Sequence, residues 1–263
     1  MIGACDTHMH FYDASYPTAP DAVLRPPDAT VADYRDVQRH LATDRVVVVQ
    51  PTTYGMDNRC QLEAMAAFGD AARGVMVVDS STDDAELERL TDLGARGARF
   101  HMLPGGAVGW DELAPTAAAI AAYDWHIQLQ LDGNLLPDHL DRLLALPTDL
   151  VVDHVGRFMP PGGTDSPGFE ALRRLLDTGR CWVKLSAPYE GSALPRPHDD
   201  VVELVDTLVA DAPERLLWAS NWPHPGQSDP PSLDDLTAWR DRWIPSALQQ
   251  AILVDNPASL YFS

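Results

Sequence analysis

The chain of 263 residues has almost no lysine: Lys184 is the only one. Nineteen basic residues stand against 39 acidic ones, a formal net charge of −20. So acidic a surface repels polyanions, which counts against nucleic acid and anionic membranes as partners. It does not count against a small anionic ligand, because a few arginines turned inward make a local positive pocket. Cysteine is scarce as well. Cys5, Cys60 and Cys181 show neither disulfide-scaffold nor zinc-ribbon spacing, so reduced structural thiols and a cytoplasmic setting are expected. No charged leader with an apolar run precedes Cys5-Asp-Thr-His, so no signal peptide is expected. No apolar run approaches the ~18 residues of a membrane span. There is no internal repeat and no linker. No glycine-rich phosphate loop follows the first strand, which counts against a doubly wound nucleotide-binding sheet.

What the chain does contain is a series of short apolar runs. A very short first run ends at Asp6. The others are Val46 to Gln50, Val75 to Val78, Ala98 to His101, Ile127 to Leu131, Leu150 to Asp153, Trp182 to Leu185 and Leu216 to Ala219. They are continuous rather than alternating, as expected of parallel strands buried on both faces. Helical stretches lie between them. Thr30 caps one that reaches about His40, with Asp33 placed to complete a capping box. Others cover Asp57 to Phe68, Asp111 to Tyr123, Leu135 to Leu146 and Asp199 to Ala210, and Ser81 or Thr82 caps one that ends at Leu93. Strand starts fall about 23 to 40 residues apart, the size of a βα unit. Eight such units in one chain predict a single-domain α/β fold over residues 1–263, a (β/α)8 TIM barrel with its first and last strands side by side.

In such a barrel the C-terminal strand ends form one mouth. Polar residues recur at those ends: His8 and His10, Gln50, Asp79, Arg99 and His101, Gln128 and Gln130, Asp153, His154 and Arg157, Ser186 and Tyr189, Asn221 and His224. His8 and His10 have the period-two spacing that turns both to one side of a strand. Two inward imidazoles bind a divalent metal, bind an anion or pass protons; the plainer alternative is a pair of hydrogen-bonded strand-end residues. Arg99 and Arg157 are candidates to clamp a carboxylate through bidentate donors, or else to form salt bridges with Asp6, Asp79 or Asp153. Tyr54 and Tyr189 are candidate hydrogen-bond donors to a hydroxylated substrate, or rim aromatics.

Five motifs taken together resemble the amidohydrolase superfamily: Asp6-Thr-His-Met-His10, Arg96-Gly-Ala-Arg-Phe100, Asp153-His-Val-Gly-Arg157, Lys184-Leu-Ser186 and Trp218-Ala-Ser-Asn-Trp-Pro-His-Pro225. Within it they resemble the amidohydrolase-2 branch that holds 2-pyrone-4,6-dicarboxylate lactonase and sugar lactonases. The terminal Asn256-Pro-Ala-Ser-Leu-Tyr261 is similar to that branch's ending. The resemblance spans the whole chain and implies a distorted (β/α)8 barrel. It also implies one or two divalent metals on first-strand histidines (His8 and His10 here), a later histidine (His154) and a strand-eight aspartate that activates water. In the pyrone lactonase group, by the same resemblance, the hydrolysis runs without metal, and arginines and tyrosines hold the carboxylates.

This chain departs from the pattern at the strand-eight aspartate, where it has Asn221. An amide is not a general base and is a poorer metal ligand than a carboxylate. Strand five offers Gln128 and Gln130 rather than histidine, and Lys184 is expected to lie away from the site. No cofactor is therefore expected; the alternative is one divalent metal such as zinc on His8, His10 and His154. The asparagine, with Leu103-Pro-Gly-Gly-Ala-Val108 and Asp132-Gly-Asn134, resembles branch members that interconvert the 1,5- and 1,4-lactones of galactaric acid without metal. The implied activity is isomerisation of an anionic sugar-acid lactone. The alternative is hydrolysis of a sugar-acid or pyrone-dicarboxylate lactone by histidine-activated water. A metal-dependent decarboxylase and a non-catalytic acid-sugar binder are less favoured. The expected catalytic set is His10, His154, Asn221 and His224, with His8, Tyr54, Arg99, Gln130, Arg157 and Tyr189 binding substrate.

Overall fold

A computed structural model describes residues 1–263. Eight parallel strands form one sheet in chain order: β1 (Cys5–Met9), β2 (Arg45–Val49), β3 (Ala72–Met76), β4 (Ala95–His101), β5 (His126–Gln130), β6 (Leu150–Val152), β7 (Cys181–Leu185) and β8 (Leu216–Trp218). Helices α1 (Val31–Leu41), α2 (Arg59–Ala66), α3 (Asp84–Asp92), α4 (Trp110–Ile120), α5 (Leu136–Leu144), α6 (Pro167–Leu176), α7 (Val202–Asp211) and α8 (Leu233–Trp243) follow the strands, and α9 (Asn256–Tyr261) ends the chain. This is the expected (β/α)8 barrel. No helix is long and apolar enough to cross a membrane.

The expected capping box is present. Asp33 N donates to Thr30 Oγ1 at 3.3 Å and Thr30 N donates to Asp33 Oδ2 at 2.9 Å. The cap of α3 is Asp83, however, which accepts from Glu86 N. Ser81 and Thr82 are occupied by Asp79: Ser81 N and Oγ donate to Asp79 Oδ1, and Asp79 N donates to Thr82 Oγ1. A local turn has outcompeted the helix for those two hydroxyls. β1 is longer than expected, reaching Met9.

The ring closes without a regular β8–β1 ladder. β8 is only three residues long. Beyond its end, Asn221 N donates to His8 O and His10 N donates to Trp222 O, both at 2.9 Å. Asp6 pins the same seam, accepting from Ser220 N at 2.9 Å, Ser220 Oγ at 2.5 Å and Tyr34 Oη at 3.0 Å. A register shift lies between Asp6 and Met9. A bulge changes which face each side chain takes. So Cys5 packs among the valines inside the barrel, Asp6 meets Tyr34 of α1, and His8 and His10 both turn inward.

The barrel interior has two levels. The lower is apolar: Cys5, Val47, Val49, Val75, Val151, Trp182 and Leu217 pack on Tyr261, which is fully buried. Fully burying each valine or leucine contributes about 1.5–3 kcal/mol. Asn256 anchors the terminal helix beneath by donating to Leu216 O at 2.8 Å and Pro213 O at 2.9 Å. The upper level is polar and opens at the mouth.

Candidate active site

Strand alternation fills the upper level. Arg99, Gln128, Gln130 and Lys184 face inward because each stands two residues from another inward position on β4, β5 or β7. His154, Arg157, Asn221 and His224 lie just past strand ends, all at positive φ between 49° and 64°. Outside glycine, left-handed backbone is uncommon and clusters at sites held by their surroundings.

His8 and His10 touch. Their Nε2 atoms are 3.2 Å apart, and His10 Nδ1 lies 2.7 Å from Val49 O. A carbonyl only accepts, so His10 carries its hydrogen on Nδ1 and accepts at Nε2. His8 then donates from Nε2, and its Nδ1 lies 3.2 Å from Asp153 Oδ1 and 3.4 Å from Lys184 Nζ. Burial is the first cause holding both imidazoles well below their ordinary pKa.

Lys184 does not lie away from the site. It is fully buried, with Nζ 2.5 Å from Gln128 Oε1, 3.4 Å from His8 Nδ1 and 3.6 Å from Asp153 Oδ1. Gln128 also donates to Asp153 Oδ2 at 3.0 Å, and His8 Nδ1 is 3.2 Å from Asp153 Oδ1. Burial alone would raise the Asp153 carboxyl, but His8 and Lys184 outweigh it and hold it well below the usual range. Burial lowers Lys184 to about 8, against the attraction of Asp153. The signal was available: Lys184 alternates with outward Val183 and Leu185 in a strand with no exposed face.

The other candidates divide. His154 Nδ1 pairs with Ser186 Oγ at 2.9 Å, and its ring centroid is 4.9 Å from that of His8. Its Nε2 has no protein partner, and burial lowers its pKa. Arg99 donates from Nη1 to Gln50 O at 2.6 Å and from Nη2 to Gln130 Oε1 at 2.9 Å, while its Nε is buried without a partner. Gln130 Oε1 also meets His101 Nδ1 at 3.0 Å. Asn221 Nδ2 donates to Tyr189 Oη at 2.9 Å, and Tyr189 Oη lies 3.0 Å from His224 Nδ1. Burial lowers His224 to about 3. Asn221 Oδ1 is buried with no partner.

Two residues are partnered otherwise than expected. Tyr54 is not free to bind substrate: its hydroxyl accepts from Asp13 N at 2.8 Å and donates to Asp13 O at 3.1 Å, so it anchors the loop after β1. Arg157 is partnered, but by Glu190 at 3.3 Å rather than by Asp6, Asp79 or Asp153. It remains at the rim, about one-fifth exposed.

A parallel eight-stranded barrel with a histidine-rich mouth and a seam closed by a His-x-His strand defines a class that the comparisons make specific. The amidohydrolase family model matches residues 5–262, and the chain belongs to that family. It is 38% identical to D-galactarolactone isomerase of Agrobacterium fabrum, over 98% of this chain and 91% of that protein. It is 37% identical to a 2-pyrone-4,6-dicarboxylate hydrolase of Comamonas testosteroni, over 99% and 90%. A crystal structure from Agrobacterium tumefaciens, 38% identical, superposes with a TM-score of 0.93 over 99% of this chain and 96% of that one.

The family implies a divalent metal, and part of the donor set suits one. The 3.2 Å between the two Nε2 atoms is near the about 3.4 Å of two nitrogens bound tetrahedrally to one zinc. His8, Asp153 and His154 also converge. The rest does not fit. Asp153 is already matched by Lys184 and Gln128. The one carboxylate of the donor set thus already faces a cation, and a dication would place two more positive charges beside the buried Lys184 ammonium. With Lys184 in place, these residues do not fit a divalent ion.

Proposed function

We propose that the chain isomerises a carboxylated sugar lactone without metal, galactaro-1,5-lactone to the 1,4-lactone being the leading case. The observation that carries this reading is the exit of β8. Asn221 stands there in place of a water-activating carboxylate, and its amide is engaged with Tyr189. The other carboxylates near the mouth are paired: Asp6 with Ser220 and Tyr34, Asp153 with Lys184 and Gln128, Glu190 with Arg157. Hydrolysis needs an activated water. Isomerisation needs only a substrate hydroxyl already close to its own lactone carbonyl, a nucleophile of high effective concentration. The similarity to the Agrobacterium isomerase supports the same choice.

In this reading Arg99, with Arg157 at the rim, holds the free carboxylate. The neutral His154 takes the proton of the attacking hydroxyl at Nε2. The new C–O bond forms and the oxyanion accepts from the Nε2–H of His224. The ring C–O bond then breaks, and His154 returns the proton to the leaving oxygen. One ester is exchanged for another, with no water consumed. Tyr189 and Asn221 hold the His224 ring in place.

Hydrolysis of a related lactone is the second reading, supported by the unpartnered Asn221 Oδ1, which would hold a water beside His154. An NMR time course with galactaro-1,5-lactone separates the two. The 1,4-lactone building up ahead of open acid supports isomerisation. Open acid as the first product supports hydrolysis.

A further inference from the structure

We propose that Lys184 is the resident cation of this barrel, its ammonium standing in for the divalent ion that the surrounding histidine–carboxylate donor set would otherwise take. This does not depend on which lactone is turned over.

Three observations carry it. The first is position: Lys184 Nζ stands in the middle of the donor set, 2.5 Å from Gln128 Oε1, 3.4 Å from His8 Nδ1 and 3.6 Å from Asp153 Oδ1. The second is direction. The His10 tautomer set by Val49 O commits the His8 Nε2–H to His10, and it turns His8 Nδ1 toward Asp153 Oδ1 at 3.2 Å and Lys184 Nζ at 3.4 Å. The contacts thus run from Lys184 and Asp153 through His8 and His10 to Val49 O. In this arrangement the Nε2 lone pair of His10 is occupied, and His8 has none at Nε2. A metal would need both. The third is charge. Lysine appears nowhere else in the sequence, yet this one is fully buried beside a fully buried aspartate. A buried cation of that kind persists only when paired.

If the ammonium takes the ion's place, removing it should uncover a metal site. The test uses tag-free, chelator-treated wild type, Lys184→Ala and Lys184→Gln, each equilibrated with Co2+, dialysed and assayed for bound metal, visible absorption and melting temperature. Wild type should retain no stoichiometric Co2+ and show no thermal shift. Both variants should melt lower than wild type, retain about one ion per chain with the absorption of a nitrogen- and oxygen-ligated site, and regain stability as the ion binds. Adding His8→Ala to either should abolish uptake. If a variant unfolds without metal, refolding with and without Co2+ gives the same test: recovery that requires the ion is the expected result. Uptake of one equivalent by wild type overturns the proposal, and so do variants that ignore the ion or fail to refold in its presence. Because the readout is metal content, its failure is distinct from failure of the lactone reading.

Discussion

The mouth of the barrel has two halves of similar composition and opposite character. On one side, His8, His10, Gln128, Asp153 and Lys184 form a network in which each hydrogen-bonding group has a partner. On the other, His154 Nε2, Asn221 Oδ1 and Arg99 Nε have none in the protein. Both halves are buried. A satisfied network rigidifies and stabilises, whereas a buried group without a partner costs free energy until something meets it. In the proposed reading the first half stabilises the barrel and the second meets the substrate. Histidines occur in both, so residue type alone does not separate the roles. Partnership does.

The largest effect that would break this division is on catalysis. His154→Ala should lower kcat for lactone turnover by about 10²–10⁴-fold, the usual worth of a positioned general base, with an unchanged circular dichroism spectrum. A smaller loss would move the base elsewhere.

Asp153→Asn probes the other half. It leaves Lys184 buried without its carboxylate, a loss of about 3–5 kcal/mol. In a chain of this length that is a melting temperature lower by about 6–20 °C, read by differential scanning calorimetry. A variant that melts like wild type would mean the network is not what stabilises this side.

How far these halves were legible in the sequence follows from the same physics. The strands and the mouth residues were legible because period-two alternation and the βα spacing are local patterns. So was Thr30 with Asp33. Lys184 was misplaced because it was judged against a metal-ligand pattern rather than against its own strand, whose alternation turns it inward with Trp182. Tyr54 was misjudged because its partner, the backbone of Asp13, is far off in sequence. The caps at Ser81 and Thr82 failed because Asp79 competes for the same hydroxyls. The bulge in β1 leaves no sequence mark, yet it sends Asp6 to α1 and His8 inward.

Smaller effects sharpen the division. Arg99→Met removes a charged donor from the open half. It should cost about 10- to 150-fold in kcat/KM, equivalent to 1.5–3 kcal/mol for a charge-assisted hydrogen bond, mostly through KM.

The pH dependence is milder still. Burial lowers the pKa of His154, so kcat/KM should be level through neutral pH and fall only once the pH drops below the ordinary imidazole range. Stability has the same sign. His126, at the apolar base, has its pKa lowered by burial to about 3. Below about pH 6.5 the unfolded chain takes up a proton that the folded chain refuses. The stability present above that pH is therefore lost as it falls toward 3, by about 1.4 kcal/mol per pH unit for this group. Urea titrations from pH 7 to pH 5 measure it.

The central claim is that the open half presents a substrate hydroxyl, not water, to the lactone carbonyl. It is tested most directly by running the turnover of galactaro-1,5-lactone in H2(18)O and following the first-formed product by mass spectrometry. Attack by the internal hydroxyl predicts a 1,4-lactone carrying no solvent oxygen. A first product carrying one solvent oxygen per turnover would contradict the account and make water the nucleophile.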